Sequence, residues 1–422
     1  MKRHQIRHGL LSGGVAGLAV LTPRAAMAAL PRVPTDELRV LLAADSGDTA
    51  WLLSVTALLS VATLAVLLRA GSRTAVAVAS LIGVLWLLVG YSVAFAPGTP
   101  LIGGAGALAL GGLSDVRANT AVPESAFVLW EGLVALFAFA LATIAVAGRA
   151  RSGWLLAFAA LWLLMVAAPI AHWIRADGWL AARGVLDAGG GLSVLLVAGV
   201  TALVLTRFVG EPRLVAADGR WAAAPLVAAL ALVAGSQLTA TDDAATALIT
   251  ALAGAMAGAL VWAAAGLGLG DERAPPPLVG GLAGLAAVGA GAGAMGTVAA
   301  LVLGALAAGA ALAVLRLLAR PTLGIAVAVT LGGGAALGAL AAPLLVLPAF
   351  GGPGFLSSGP GLAYTLGAQT IGVLVTVLWT AVVSGIAGLI VSAVVPATLS
   401  RREKEAITLP SGSDRPADEP SA

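Results

Sequence analysis

The chain is a succession of long apolar runs separated by short polar patches. A helix needs ~20 apolar residues to cross a bilayer. Eleven runs match or approach that length, at 50–68, 74–96, 124–147, 153–173, 189–206, 222–240, 245–268, 278–294, 297–317, 322–346 and 362–395. The pattern predicts an all-α polytopic membrane protein with eleven transmembrane helices, the last long enough to tilt or to extend beyond the bilayer. Ahead of the first run, residues 1–29 combine a basic start (Lys2, Arg3, Arg7), a short apolar stretch from Gly9 to Leu21 and the small-residue site Ala26-Met27-Ala28. That is the pattern of a secretory signal peptide, with a retained extra helix as the alternative. Residues 401–422 form a tail that is Pro-, Ser- and Asp-rich from Pro410 and is expected to be largely disordered.

Charge sets the expected orientation, because short cytoplasmic loops carry the Lys/Arg excess. With the N-terminus outside, an odd number of spans leaves the C-terminus in the cytoplasm. The inner loops then hold Arg69 and Arg73, Arg149 and Arg151, Arg207, Arg213 and Arg220, Arg273, and Arg316 and Arg320, and the tail adds Arg401, Arg402 and Lys404. The outer loops hold only Arg117, Arg175 and Arg183, beside Asp115, Asp177, Asp187, Asp242 and Asp243. Orientation and span count support each other and place the chain in the cell (inner) membrane. Eleven spans suggest an inverted five-plus-five repeat with an extra C-terminal helix, an arrangement that puts a solute path at the repeat interface.

Composition narrows the chemistry. The chain is 10% charged with a mean hydropathy of +1.02, far from the ~25% charged residues of a soluble domain. Cysteine is absent, which excludes thiolate metal sites, disulfides and Cys nucleophiles. No nucleophile–base pair or metal cluster is visible, so neither an enzyme nor a cofactor, metal or nucleic-acid partner is expected. The 55 glycines suit helices that approach closely in the bilayer.

Polar residues concentrate between Ala171 and Leu205: His172, Arg175, Arg183, Asp187 and the triplet Gly189, Gly190 and Gly191, ahead of a run apolar but for Ser193 and Thr201. Asp187 either caps the free N–H groups of Gly189 and Gly190 and meets the positive end of the helix that starts here or attracts cations directly. The glycines permit tight helix contact; no basic residue follows them into the helix, which argues against a phosphate site. His172, at a helix end, is either a hydrogen-bonding anchor or a pore ligand.

Several patches resemble the ammonium transporter (Amt/Rh) family at matching positions: DTAWLL from Asp48, LWLLVGYSVAF from Leu85, VPESAFVLWEG from Val122, PIAHWIRADGWLAARGVLDAGGG from Pro169, AGSQL from Ala234 and QTIGVLVTVLWTAVVS from Gln369. The resemblance marks residues 30–400 as an ammonium-transporter-like membrane domain. It implies a homotrimer with one narrow apolar pore per subunit, two facing pore histidines, and a vestibule that recruits ammonium through an aromatic cage and a serine. It also implies a possible PII-type regulatory protein at the cytoplasmic face, although the tail departs from the family's acidic pattern after Glu405.

The sequence departs from that pattern at the chemistry itself. The fifth-span histidine position is Leu195, the tenth-span position aligns with Val329, and no histidine follows His172. In the vestibule the gating phenylalanine aligns with Val134, Trp130 is kept one turn earlier, the recruiting tryptophan aligns with Arg175, and Ser236 retains the serine. The pore-facing glutamine aligns with Glu131. That residue lies about 12 Å along its helix if Pro123 is near the start. A lone carboxylate at that depth is costly and calls for a partner, and Arg175 is the expected one, as a plug or anion-tolerant vestibule or simply as a buried pair. Ser236 either lines a path or bonds back to its own helix. The residues therefore point to a channel or transporter of ammonia or ammonium, conducting a small neutral species. The alternative is a degenerate, non-conducting relative acting as an ammonium sensor or as a partner subunit in trimers.

Overall fold

The structure is a computed structural model that describes residues 44–176, 178–210, 220–269, 276–318, 321–354 and 361–398. The expected leader at 1–29 and the tail at 401–422 lie outside the described residues. Among the described residues, nine helices are long and apolar enough to cross a membrane: α1 (Ser46–Ala70), α2 (Ser72–Phe95), α3 (Glu124–Val146), α4 (Ser152–Arg175), α5 (Gly191–Val209), α7 (Asp242–Leu267), α9 (Thr297–Leu317), α10 (Leu323–Leu345) and α11 (Leu362–Val394). Two shorter apolar helices, α6 (Ala223–Gly235) and α8 (Pro277–Gly291), complete the set.

All eleven expected helices are present among the described residues, and two of them are shorter than the apolar runs that predict them. The run at 278–294 is apolar throughout and that at 222–240 is broken only by Ser236, Gln237 and Thr239 near its end, but their helices stop early. Leu238 takes a left-handed turn at φ 59° after α6, and Gly293 does so at φ 77° after α8. Irregular backbone at membrane depth is tolerated only where protein surrounds it and satisfies its polar groups. That happens at the end of α8, where the carbonyls of Gly289 and Ala290 accept the N–H groups of Gly189 and Ala188 at 2.8 and 3.0 Å.

α3 forms the centre of the bundle, with 83% of its apolar window buried against 33% for α2 and 39% for α11. It packs on α1 and α5; α1 also meets α6, and α5 crosses α10. α7, α8 and α9 form a close group, and α11 lies against α4, α5 and α10. With hydrocarbon outside as well as inside, helices associate through close van der Waals contact. The glycines make that contact possible. A Cβ at Gly284 or Gly304 would collide with the backbone of Gly254, and one at Gly199 would lie 2.5 Å from the Gly332 nitrogen where α5 crosses α10.

Side chains secure the helix ends and the long helix α11. The Asp45 carboxylate accepts the Asp48 N–H at 2.8 Å, and the Thr322 hydroxyl accepts the Ile325 N–H at 3.3 Å. On α11, Gln369 accepts the Leu186 N–H at 2.9 Å and donates to the Leu186 carbonyl at 2.7 Å. Further along, Ser392 accepts the Trp154 indole N–H at 2.9 Å.

Because the Gly284 contact is backbone on backbone, Gly284→Leu is expected to lose roughly 1–3 kcal/mol through overpacking. Gly309→Ala, where a Cβ meets open space, is expected to leave stability unchanged or raised. Thermal unfolding of the two purified variants in detergent checks the contrast.

Candidate functional site

Asp187 organises the region where α4 hands over to α5. Its carboxylate accepts the N–H groups of Leu192 and Ser193 at 2.8 and 2.9 Å and the Ser193 hydroxyl at 2.6 Å. The capped donors thus lie further into the helix than Gly189 and Gly190, whose N–H groups the sequence had made the candidates. The glycines serve a different purpose. Gly190 is left-handed at φ 75°, and a Cβ at Gly191 would lie 2.6 Å from the Ala290 nitrogen, so the triplet lets the start of α5 press on the end of α8. Burial pushes the Asp187 carboxyl above the ordinary aspartate range, while the Ser193 hydrogen bond and the nearby Arg175 pull the other way.

Arg175 is the last residue of α4, and its Nη2 donates to Glu131 Oε1 at 2.6 Å. The two side chains are 11% and 3% exposed, so the pair is held almost entirely inside the protein. Beside it lies a cavity of about 20 Å³ lined by Glu131, Val134, Ala138, Arg175, Ser193 and Trp86, among others. That is close to the smallest volume able to hold one water-sized molecule.

Three π-helical turns supply part of this wall: Trp86–Gly90 gives Trp86, Leu163–Ala167 gives Ala167, and Gly191–Leu196 gives Ser193 and Val194. Such turns are rare and often mark functional sites. Trp86 is fixed by a 2.9 Å hydrogen bond from its indole to the Val128 carbonyl. It lies flat against α3 because residue 132 is glycine, where a Cβ would come within 2.7 Å of the ring.

The remaining candidates sit elsewhere. Trp130 is fully buried, its ring pressed on Gly235 beside Ser236. Its indole nitrogen and the Ser236 hydroxyl have no hydrogen-bond partner among the described residues, and neither residue is among those lining the 20 Å³ cavity. Leu195 is completely buried and Val329 half-buried. Both belong to π-helical turns, Gly191–Leu196 on α5 and Ala328–Gly333 on α10, but neither lines that cavity.

His172 holds the loop after α2, its Nδ1 lying 2.9 Å from the Ala94 carbonyl and its Nε2 2.8 Å from that of Thr99. It lines a separate cavity of about 250 Å³ together with Arg117 and Glu124.

Sequence patterns did not single out Trp86, Ser193 and Val194 as wall residues, nor the second ion pair. Arg117 meets Glu124 at 3.3 Å and stacks over Phe127 and Phe95 at 4.8 and 5.5 Å. Glu124 also accepts the Tyr91 hydroxyl at 2.7 Å and the Ser114 N–H at 2.6 Å. Ser193 was visible as a polar break in an apolar run; the Arg117 pair had no comparable signal.

Comparison with known proteins follows the same outline. The Ammonium Transporter Family model matches residues 51–226 and 229–410. The chain belongs to this family. Its members are channels or transporters, not enzymes. An ammonium transporter of Aquifex aeolicus is 30% identical over 396 residues, covering 85% of this chain and 90% of the relative. One from Bacillus subtilis is 36% identical over 137 residues, and there the chain spans only 33% of the relative's length. The crystal structure of Candida albicans Mep2 shares the fold at a TM-score of 0.72 and 23% identity, over 85% of this chain and 88% of that one.

Removing one partner of a buried ion pair leaves the other charge unpaired, which costs about 3–5 kcal/mol. Glu131→Gln and Arg175→Gln are each expected to lower thermal stability by a loss of that order, and the double variant by clearly less than the sum. Unfolding of all three variants measures this as a double-mutant cycle.

Proposed function

We propose that this chain conducts ammonia as a neutral molecule, drawn from the ammonia–ammonium pool, through a narrow route that passes the Glu131–Arg175 pair. The observation that carries this reading is the one-molecule cavity beside that pair, where the ionic charges cancel and the nearby wall is largely apolar, including Val134, Ala138 and Val194. A small uncharged solute fits such a space. Ammonium would need a compensating negative charge, but Glu131 is already committed to the Arg175 guanidinium.

The remaining expectations belong to the same reading. The chain is taken as a homotrimer in the cell membrane, N-terminus outside and C-terminus in the cytoplasm, the side on which the arginines of the short loops concentrate. An inverted repeat is supported by matching pairs: α1 with α3 and α6 with α8, then α3 with α5 and α8 with α10. A PII-type partner would act at the cytoplasmic face. The non-conducting sensor is not favoured, since the Aquifex aeolicus and Bacillus subtilis relatives are themselves ammonium transporters.

In proteoliposomes loaded with a pH dye, an ammonia pulse is expected to raise internal pH faster than in protein-free vesicles, with no steady current across the membrane. Val134→Phe, which fills the cavity, is expected to bring the rate down to the protein-free level. A steady ammonium current abolished by Glu131→Gln would overturn neutral conduction.

A further inference from the structure

Three described arginines lie on the face that carries the loop between α4 and α5: Arg117, Arg175 and Arg183. Arg117 meets Glu124 at 3.3 Å and Arg175 meets Glu131 at 2.6 Å. Arg183 meets no carboxylate among the described residues. Its guanidinium lies 4.9 Å over the Trp179 ring and gives one N–H to the Trp179 carbonyl at 3.3 Å. The side chain is exposed, so its other donors face outward.

Beside Arg183 runs a groove of about 230 Å³ whose other wall is α11, at Ala363, Tyr364, Gly367, Ala368 and Ile371. A Cβ at Gly367 would meet open space. The depth of the groove in the bilayer follows from the neighbouring helix. The 19 residues of α5 rise about 28 Å, close to the ~30 Å hydrocarbon thickness, so its start marks the hydrocarbon boundary on this face. Gly372 packs on Leu192 and Val185 at that level. Ile371 therefore touches the hydrocarbon, and Gly367 lies about 8 Å above it, at headgroup depth. Below the groove, Ile371, Leu374 and Leu378 follow one another down α11 at 41%, 53% and 61% exposure.

We propose that this groove is a binding site for an anionic phospholipid. The lipid phosphate sits between the Arg183 guanidinium and the Tyr364 hydroxyl, and an acyl chain follows Ile371, Leu374 and Leu378. Charge complementarity selects the occupant: an unneutralised cation at headgroup depth attracts an anionic headgroup, and an arginine fork matches phosphate oxygens. The apolar track below it has no use for a soluble anion.

The test titrates the full-length protein in neutral detergent with phosphatidylglycerol, with phosphatidylcholine of the same chains, and with soluble glycerol phosphate, reading bound ligand by native mass spectrometry. Phosphatidylglycerol is expected to bind more tightly than phosphatidylcholine, with glycerol phosphate not retained. Arg183→Gln is expected to weaken phosphatidylglycerol binding about fivefold, the scale of one basic residue at an anionic surface. Arg69→Gln, which removes the same charge elsewhere, leaves binding unchanged, and Gly367→Leu weakens it with the charge intact. Equal binding of the two lipids overturns the proposal, as does an Arg183→Gln effect no larger than that of Arg69→Gln. Retention of glycerol phosphate as strong as that of the lipid would make this a phosphate site instead. Protection of a Gly367→Cys thiol from maleimide in lipid-free protein would show a second copy of the chain covering the groove.

Discussion

Hydrocarbon offers a polar group no partner, so each buried charge and each interrupted helix has to be satisfied from within the bundle. The Glu131–Arg175 contact meets that constraint between α3 and α4, and the Asp187 cap meets it at the start of α5. The meeting of Gly189 and Ala188 with the carbonyls at the end of α8 meets it for a helix that stops short. These three arrangements lie next to one another along the chain or in space. Together they fix the geometry of the cavity, because α3, α4 and α5 all contribute to its wall.

The apolar remainder follows a simpler rule. Lipid competes equally for apolar side chains, so helices gain by fitting tightly, and close approaches run backbone to backbone at Gly338 with Ala287, at Gly254 with Gly284 and at Gly199 with Gly332. Where a bulky ring enters, as Trp86 does, a glycine at 132 makes the room. The π-helical turns bear on the same problem, since they lie in α2, α4, α5 and α10, and three of the four turns line the cavity.

Much of the architecture was legible in the runs of hydrophobicity, since helix number depends on how many segments are apolar. Where those helices stop was not legible at Leu238 or Gly293, because both ends are set by backbone turns, the one at Gly293 inside a segment that remains apolar and the one at Leu238 beside only a few uncharged polar residues. At the site, a carboxylate at Glu131 and a cation at Arg175 were readable as out of place in a membrane span. Trp86, Ala167 and Val194 were not, because an apolar wall residue looks like any other core residue until neighbouring helices enclose a space. The Arg117–Glu124 pair escaped for a related reason: loop geometry brings the two together, and no helical period relates them.

Gln369 gives the long helix α11 an axial key. Its amide closes two hydrogen bonds with both backbone groups of a single residue, Leu186. A slide of α11 by one helical turn, about 5.4 Å, would break both at once and bring Thr365 or Val373 opposite that backbone. Neither side chain can both donate and accept at an amide's reach. The helix is thereby held at one height, and any rigid-body displacement of α11 drags with it the residue directly ahead of Asp187.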